Sequence, residues 1–172
     1  MLKSLQKILK GKEEKQEIIN NLFKKDIYII SLNTNFPGKK KNIPLYKKFF
    51  NKIEKQISVK INEIFNPQSF IVIKNNSGIT KLYVIDKTND GVESKLELIA
   101  IENNFQNYSK YIDLDLYIKN DKLISRSDLN IANKKCFICN NDAKICTRNK
   151  NHSIDELVRF VKNDIYKLLK MR

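Results

Sequence analysis

The sequence predicts an α+β fold in a single domain, built on a mixed sheet that includes an Asp-x-Asp hairpin and carrying a helix at each terminus. Three observations predict it. The 172 residues have the length of one domain, and 41% hydrophobic content with only 4 Gly and 3 Pro supports a core and excludes disorder or a collagen-like repeat. Apolar residues recur with helical spacing in some segments and with strand spacing in others, in mixed order. No repeat or low-complexity linker divides the chain, so residues 1–172 read as one domain, with a helical segment over 1–24, a Cys/His loop over 134–152 and a terminal helix over 153–170.

Leu2, Leu5, Ile8 and Leu9, then Ile18, Ile19, Leu22 and Phe23, lie at helical spacing either side of Gly11 and predict two helical pieces. Asp26 to Asn33 is rich in β-branched and aromatic residues and predicts a strand closed by the Pro37-Gly38 turn. Asn42 is the expected cap of a helix with Pro44 in its first turn and Leu45, Phe49, Ile53 and Ile57 on its core face. Phe70 to Lys74 and Lys81 to Asp86 read as strands around Asn75-Asn76-Ser77-Gly78. Asp90 to Asn103 reads as a helix with Val92, Leu96 and Ile99 inward. Tyr111 to Ile118 and Leu123 to Ser127 form a predicted hairpin about Lys119-Asn120-Asp121-Lys122. Ser153-Ile154-Asp155-Glu156 is a capping-box sequence opening the last helix, with Ile154, Leu157, Val158, Val161, Ile165 and Leu168 on one face.

With 33 Lys plus Arg against 19 Asp plus Glu, the net charge is +14, a field that attracts polyanions. The basic runs Lys39-Lys40-Lys41 and Lys134-Lys135 lack interleaved aromatics for base stacking, so nucleic acid is not the favoured partner. No apolar run reaches the roughly 18 to 20 residues of a membrane span. Met1-Leu2-Lys3-Ser4 opens no signal-peptide core. Three cysteines fit reduced thiols or metal ligands better than a disulfide framework. The expected location is cytoplasmic.

In the strand from Ile112 to Ile118, period-two geometry puts Ile112, Leu114, Leu116 and Ile118 on one face and Asp113, Asp115 and Tyr117 on the other. The two carboxylates then project side by side from alpha carbons roughly 6.5 to 7 Å apart, within reach of one hard cation such as Mg²⁺. An even-numbered loop pairs Lys119 with Lys122, Asp115 with Arg126 and Asp113 with Asp128. Three metal-competent carboxylates beside a guanidinium are equipment for phosphoryl transfer. A solvent-facing hairpin with an ordinary cross-strand ion pair accounts for the same residues without a function.

Cys136-x2-Cys139-x6-Cys146-x5-His152 holds every cysteine and the single histidine of the chain. Three thiolates and an imidazole complete a tetrahedral structural zinc set. The rival reading packs reduced thiols as small hydrophobes and leaves Arg148 and His152 to meet phosphate.

Taken in order, these residues resemble the apo-citrate lyase phosphoribosyl-dephospho-CoA transferases, also called citrate lyase holo-acyl carrier protein synthases. The likeness covers about Asp26 to Leu169 and rests on Asn35-Phe36-Pro37-Gly38 with Lys41, Asp113-x-Asp115, Ser125-Arg126 with Asp128, and Cys136-x2-Cys139, Ala143, Cys146-x-Arg148 and His152. Ser109-Lys110 stand where the family usually has Gly-Arg, and Gln106-Asn107 replace a common His-Pro. The resemblance implies nucleotidyltransferase-like chemistry. A phosphoribosyl-dephospho-CoA group moves from its triphosphate precursor, triphosphoribosyl-dephospho-CoA, to a serine of the citrate lyase acyl carrier protein (the gamma subunit), and pyrophosphate leaves. It implies that Asp113 and Asp115 hold Mg²⁺, that Asp128 is a third ligand or base, and that Lys41, Ser109, Lys110, Arg126 and Arg148 contact substrate. Two alternatives stand beside it: a small zinc-stabilised basic nucleic-acid-binding module, and an inactive relative that grips the carrier.

Overall fold

The computed structural model of the chain describes residues 2–23, 26–87, 90–119, 122–139 and 141–171. Helix α1 (Leu2–Leu22) precedes strand β1 (Ile27–Thr34) and helix α2 (Pro44–Phe65). The hairpin of β2 (Ser69–Asn75) and β3 (Gly78–Asp86) is followed by α3 (Gly91–Asn104), then by β4 (Ile112–Lys119) and β5 (Lys122–Ile124). A short helix α4 (Ala143–Arg148), inside the stretch read as loop, leads to α5 (Ile154–Lys170).

The sheet has the order β2-β3-β1-β4-β5 and is antiparallel at every described pairing, not mixed as the sequence suggested. The reason lies in the connections. Helices α2 and α3 do cross over between strands that run the same way, β1 to β2 and β3 to β4, which is the usual job of a crossover helix. In each case another strand is inserted between the two, so parallel strands never become neighbours.

Strand alternation divides the apolar residues between two clusters. On one face Tyr28, Ile30, Leu32, Tyr83, Ile85, Ile112, Leu114 and Leu116 pack under α2, α3 and α5, whose Phe49, Ile53, Ile57, Leu98, Val161 and Ile165 are buried. On the other face Ile27, Ile29, Ile73, Leu82, Val84 and Tyr117 pack under Ile19 of α1. Asp113 and Asp115 belong to this second face, as the period-two reading of β4 requires.

Three local expectations change. Helix α2 starts after Ile43 with no side-chain cap, because Asn42 turns away and donates to the Asn75 carbonyl. In α3, Ile99 is buried as expected, but Val92 and Leu96 are exposed while Ser94, Lys95, Leu98, Ile101 and Glu102 are buried. The inward face is turned from the expected one because the site, not apolar burial alone, decides which side of this helix goes inward. The capping box of α5 forms as expected, between Ser153 and Glu156.

The third change is at Gly11, which interrupts nothing: α1 is one helix. A mid-helix glycine costs about 1 kcal/mol relative to alanine, and its place here follows from a close approach. A Cβ at Gly11 would stand 2.7 Å from Asn75 Oδ1 and 2.9 Å from the Ser77 backbone nitrogen. Asn75 Nδ2 donates to the Gly11 carbonyl at 2.7 Å and to Glu14 Oε2 at 3.1 Å. The β2–β3 turn therefore clamps the helix. Gly11→Ala is expected to lower stability by about 1–2 kcal/mol, against the sign of helix propensity, because the added methyl meets backbone as well as side chain. Urea denaturation checks it.

Candidate active site

The pairing of β1 with β4 sets Asp115 opposite Ser31 and Asp113 opposite Asn33. Thr80 Oγ1 on β3 donates to Asn33 Oδ1 at 2.7 Å, and Asn33 Nδ2 donates to Ser31 Oγ at 3.0 Å and to Asp115 Oδ2 at 3.3 Å. A polar relay across three strands thus orients one carboxylate. The other, Asp113, accepts from Lys134 Nζ at 2.6 Å. Burial, and next the negative charge of Asp113, push the Asp115 carboxyl above the usual range, although Lys95 and Lys15 pull the other way.

The backbone beside the aspartates has an unusual solution to its hydrogen-bonding needs. Strand β5 ends at Ile124, which pairs with Leu116, so the β4 edge at 112–114 extends past its strand partner. Side chains take over. The Leu114 N–H donates to Glu102 Oε1 at 2.7 Å, and Lys95 Nζ donates to the Leu114 carbonyl at 2.7 Å. Lys134 Nζ donates to the Ile112 carbonyl. Glu102, only 3% exposed, also pairs with Arg126 Nη2 at 2.6 Å and with Lys134 Nζ at 3.0 Å. Desolvation lowers the Lys95 ammonium from its ordinary pKa, opposed by Asp115 and Glu102.

The expected hairpin register holds at its tip and fails beyond it. Lys119 pairs with Lys122, while the connecting Asn120 and Asp121 lie outside the described residues. A bulge between Tyr117 and Lys119 shifts the register by one residue, and the strand stops before Arg126. Asp115 therefore does not face Arg126, nor Asp113 Asp128. Arg126 reaches the site from a one-turn helix entry instead, held by Glu102. Asp128 is spent locally: its Oδ2 accepts from the Ser125 N–H and hydroxyl, each at 2.8 Å, which holds its carboxyl below the usual range.

Two clefts meet at Asn35, Asp113 and Asp115. One, of about 240 Å³, is bounded by Lys95, Ser125, Arg126 and Lys134. The other, of about 450 Å³, is bounded by Lys12 and Lys15 of α1 and by Lys41. A third cleft shares Arg126 and Lys134 with the first and continues to Ser109, Lys110, Cys136 and Cys139. Asp113, Asp115 and Arg126 thus line one cleft, Lys41 the next, and Ser109 and Lys110 the third. Lys110 is also paired with Asp164 at 2.9 Å. Asp128 and Arg148 line none of these three clefts; Arg148 is the exposed last residue of α4.

The Asn35-Phe36-Pro37-Gly38 segment is a docking device for this junction. Phe36 stacks on Tyr46 with centroids 4.0 Å apart, and the Asn35 N–H donates to the Tyr111 carbonyl at 2.9 Å. Gly38 has φ +80°, and a Cβ there would stand 2.6 Å from Val158 Cγ2. The turn needs glycine on both counts. Lys41 Nζ donates back to the Phe36 carbonyl.

Ligand atoms of Cys136, Cys139, Cys146 and His152 all lie within 4.8 Å of one another, so the four residues gather as a possible metal site. Among the described residues the buried Nε2 of His152 has no hydrogen-bond partner. Phe137, inside the Cys-x2-Cys turn, stacks on Tyr111 with centroids 5.5 Å apart, which docks the cluster against the core beside Lys134.

Sequence reading missed Lys12, Lys15, Asn33, Lys95 and Glu102, and saw Lys134 only as one of a basic pair before the first cysteine. For α3 a signal was present: Lys95, Leu98, Ile101 and Glu102 share one helical face, so two charges travel with the apolar stripe. For the α1 lysines none was, since only the clamp at Gly11 shows which sheet face the helix crosses.

Comparison with known proteins identifies the family. A family model described as apo-citrate lyase phosphoribosyl-dephospho-CoA transferase matches residues 3–168. The chain is similar to "Protein CitXG" of Haemophilus influenzae, 27% identical over 90% of this chain and 33% of that protein. It is similar to "Protein CitXG" of Leuconostoc mesenteroides subsp. cremoris, 30% identical over 74% of this chain and 27% of that protein. A "Probable apo-citrate lyase phosphoribosyl-dephospho-CoA transferase" of Streptococcus pyogenes serotype M5 is 36% identical over 37% of this chain and 34% of that protein. The aligned region is thus about a third of the length of these relatives. With a match over nearly its whole length, the chain belongs to the apo-citrate lyase phosphoribosyl-dephospho-CoA transferase family.

Proposed function

We propose that the protein transfers the phosphoribosyl-dephospho-CoA group from its triphosphate precursor to a serine of the citrate lyase acyl carrier protein, in a nucleotidyltransferase-like reaction. The observation that carries the reading is the convergence of Asp113 and Asp115 on the junction of two clefts rimmed by Lys12, Lys15, Lys41, Arg126 and Lys134. The serine oxygen bonds to the phosphorus next to the ribose, and the bridging P–O bond breaks with its electron pair leaving on pyrophosphate. The hydroxyl proton passes to a carboxylate of the pair and from there to water. The cationic rim binds and orients the phosphates.

The residues suit Mg²⁺. Two neighbouring carboxylates, one raised in pKa by burial and then by the other's charge, are an oxygen donor set that suits a hard divalent cation. Such an ion held by Asp113 and Asp115 would offset charge on the phosphate oxygens. Incubating the apo-carrier with the triphosphate donor and Mg²⁺ tests the function, with the carrier's mass as readout. A gain equal to the donor minus pyrophosphate is expected, and an unchanged carrier would refute it.

A structural zinc at Cys136, Cys139, Cys146 and His152 completes the proposal. It is supported by the tight gathering of four donors and by the unpartnered His152 nitrogen. Burial and the adjacent Cys136 sulfur push the Cys146 thiol up to about 12, the mutual repulsion that a bound cation removes. Purified protein is expected to hold one zinc per chain by elemental analysis. Chelation should loosen the segment around Lys134, seen as faster amide exchange there, with stability lost only in the chelated sample.

A further inference from the structure

We infer that α1 builds a dedicated subsite for the departing polyphosphate, with Lys12 and Lys15 as its ligands and Lys41 across the cleft. The inference rests on the transferase reading and extends it by assigning a direction to the reaction: pyrophosphate leaves toward α1, and the carrier serine arrives from the Arg126 side.

Three observations support this. The first is placement. Lys12, Lys15 and Lys41 line the same cleft as Asp113 and Asp115, and among the described residues none of the three lysines stands in an ion pair with a carboxylate. Three ammonium groups facing two carboxylates leave the cleft with surplus positive charge, and this suits a polyanion that a divalent ion bridges to the carboxylates. On the Arg126 side, by contrast, Arg126 and Lys134 are committed to Glu102, Lys134 also to Asp113 and Lys95 to the Leu114 carbonyl, while Lys144 meets the Ser127 hydroxyl at 3.4 Å.

The second observation is rigidity. Lys12 directly follows Gly11, the residue clamped to the β2–β3 turn, and Ile19, four residues beyond Lys15, is fully buried. The two lysines sit on a helix fixed at both ends of this stretch. Lys15 also lies over the Tyr117 ring, 5.7 Å from its centroid, and its burial lowers its pKa against the pull of Asp115. An ammonium kept partly dry and near the reacting phosphates interacts with them more strongly than one in water.

The third observation is topology. In-line displacement needs the entering and leaving oxygens on opposite sides of the phosphorus. The aspartates stand where two clefts meet, and Lys12 and Lys15, neither of which has a hydrogen-bond or ion-pair acceptor among the described residues, both lie in the α1 cleft. The leaving group therefore belongs there.

Inorganic tripolyphosphate with Mg²⁺, titrated calorimetrically into the full chain, tests the subsite without the carrier. Lys12→Ala/Lys15→Ala is expected to weaken binding about ten-fold or more, and Lys12→Arg/Lys15→Arg to retain it. Lys47→Ala/Lys48→Ala, which removes the same charge from exposed positions on α2, is expected to bind as wild type. In transfer assays the alanine pair should raise the KM for the donor and lower kcat while leaving the KM for the carrier unchanged. Equal tripolyphosphate affinity in wild type and the Lys12/Lys15 alanine pair, or an equal loss in the Lys47/Lys48 control, would overturn the subsite. Wild type that binds tripolyphosphate through these lysines yet never modifies the carrier would overturn the transferase reading and leave the subsite standing. Unchanged circular dichroism in the arginine pair keeps the comparison free of folding effects.

Discussion

Asp115→Asn is expected to cut transfer by about a thousand-fold or more while leaving the protein as stable as wild type, or slightly more so. The size follows from what the carboxylate does: removing a preorganised group that stabilises transition-state charge typically costs on the order of 4 kcal/mol in barrier height. The opposite sign for stability follows from its surroundings. Burial and the charge of Asp113 raise the Asp115 pKa in the folded state. The folded protein then binds this proton more tightly than the unfolded chain does. The stabilisation from holding that proton is complete below the unfolded value of about 4 and is lost as pH rises through the higher folded value. As pH rises wild type thus loses a stabilisation that asparagine, with no proton to release, does not depend on. The Asn33 donor at 3.3 Å retains an oxygen to meet. Chemical denaturation at pH 4 and pH 8 should show the Asn variant gaining on wild type as pH rises. Added Mg²⁺ should stabilise wild type and not the variant. A variant that transfers at the wild-type rate would remove Asp115 from the reaction.

Glu102→Ala is expected to destabilise the protein by about 3–5 kcal/mol, the usual cost of stripping the partner from buried charges. Glu102 is almost wholly buried on α3 and joins four things at once: the Leu114 N–H, Arg126, Lys134 and, through Lys134, Asp113. Without it the backbone N–H of a strand edge and Arg126 lose their acceptor, and Lys134 is left with Asp113 and the Ile112 carbonyl. Glu102→Gln keeps the shape and an acceptor for Leu114, so it should cost less, yet it removes the charge that holds Arg126. Arg126 and Lys134 would then be freed toward phosphate or drawn onto Asp113. Thermal melting of the two variants gives the stability order. The donor KM of Glu102→Gln reports on how the released cations affect substrate. If both variants melt with wild type, the edge of β4 is held by something other than Glu102.

The secondary elements and the two faces of β4 were legible in the sequence because they rest on local periodicity. Asp113, Asp115 and Tyr117 alternate with Ile112, Leu114, Leu116 and Ile118, and no tertiary contact is needed to know that they point opposite ways. The Cys/His set was legible because rare residue types concentrate in one short stretch. The pairing of Asp115 with Arg126 was not, since a single bulged residue at Ile118 reverses every downstream register. The inward face of α3 was assigned correctly at Ile99 but not at Val92 and Leu96, because Lys95 and Glu102 turn inward with Leu98 and Ile101 for the sake of a strand edge that the short β5 leaves open.

The sequence by itself determined the α+β class, the acidic strand, the cysteine and histidine donors and, through their order, the family. Tertiary structure alone decided that the sheet is antiparallel throughout, that Asp128 closes its own turn, and that α1 lies across the acidic face with Lys12 and Lys15 beside the aspartates. The division has a physical cause. Periodicity and residue chemistry act between neighbours a few positions apart and are written in the chain. Which strand inserts beside which, and where a clamped helix sets its charges, depends on contacts between segments such as Gly11 and Asn75, far apart in sequence, whose energies exist only once the chain has closed on itself.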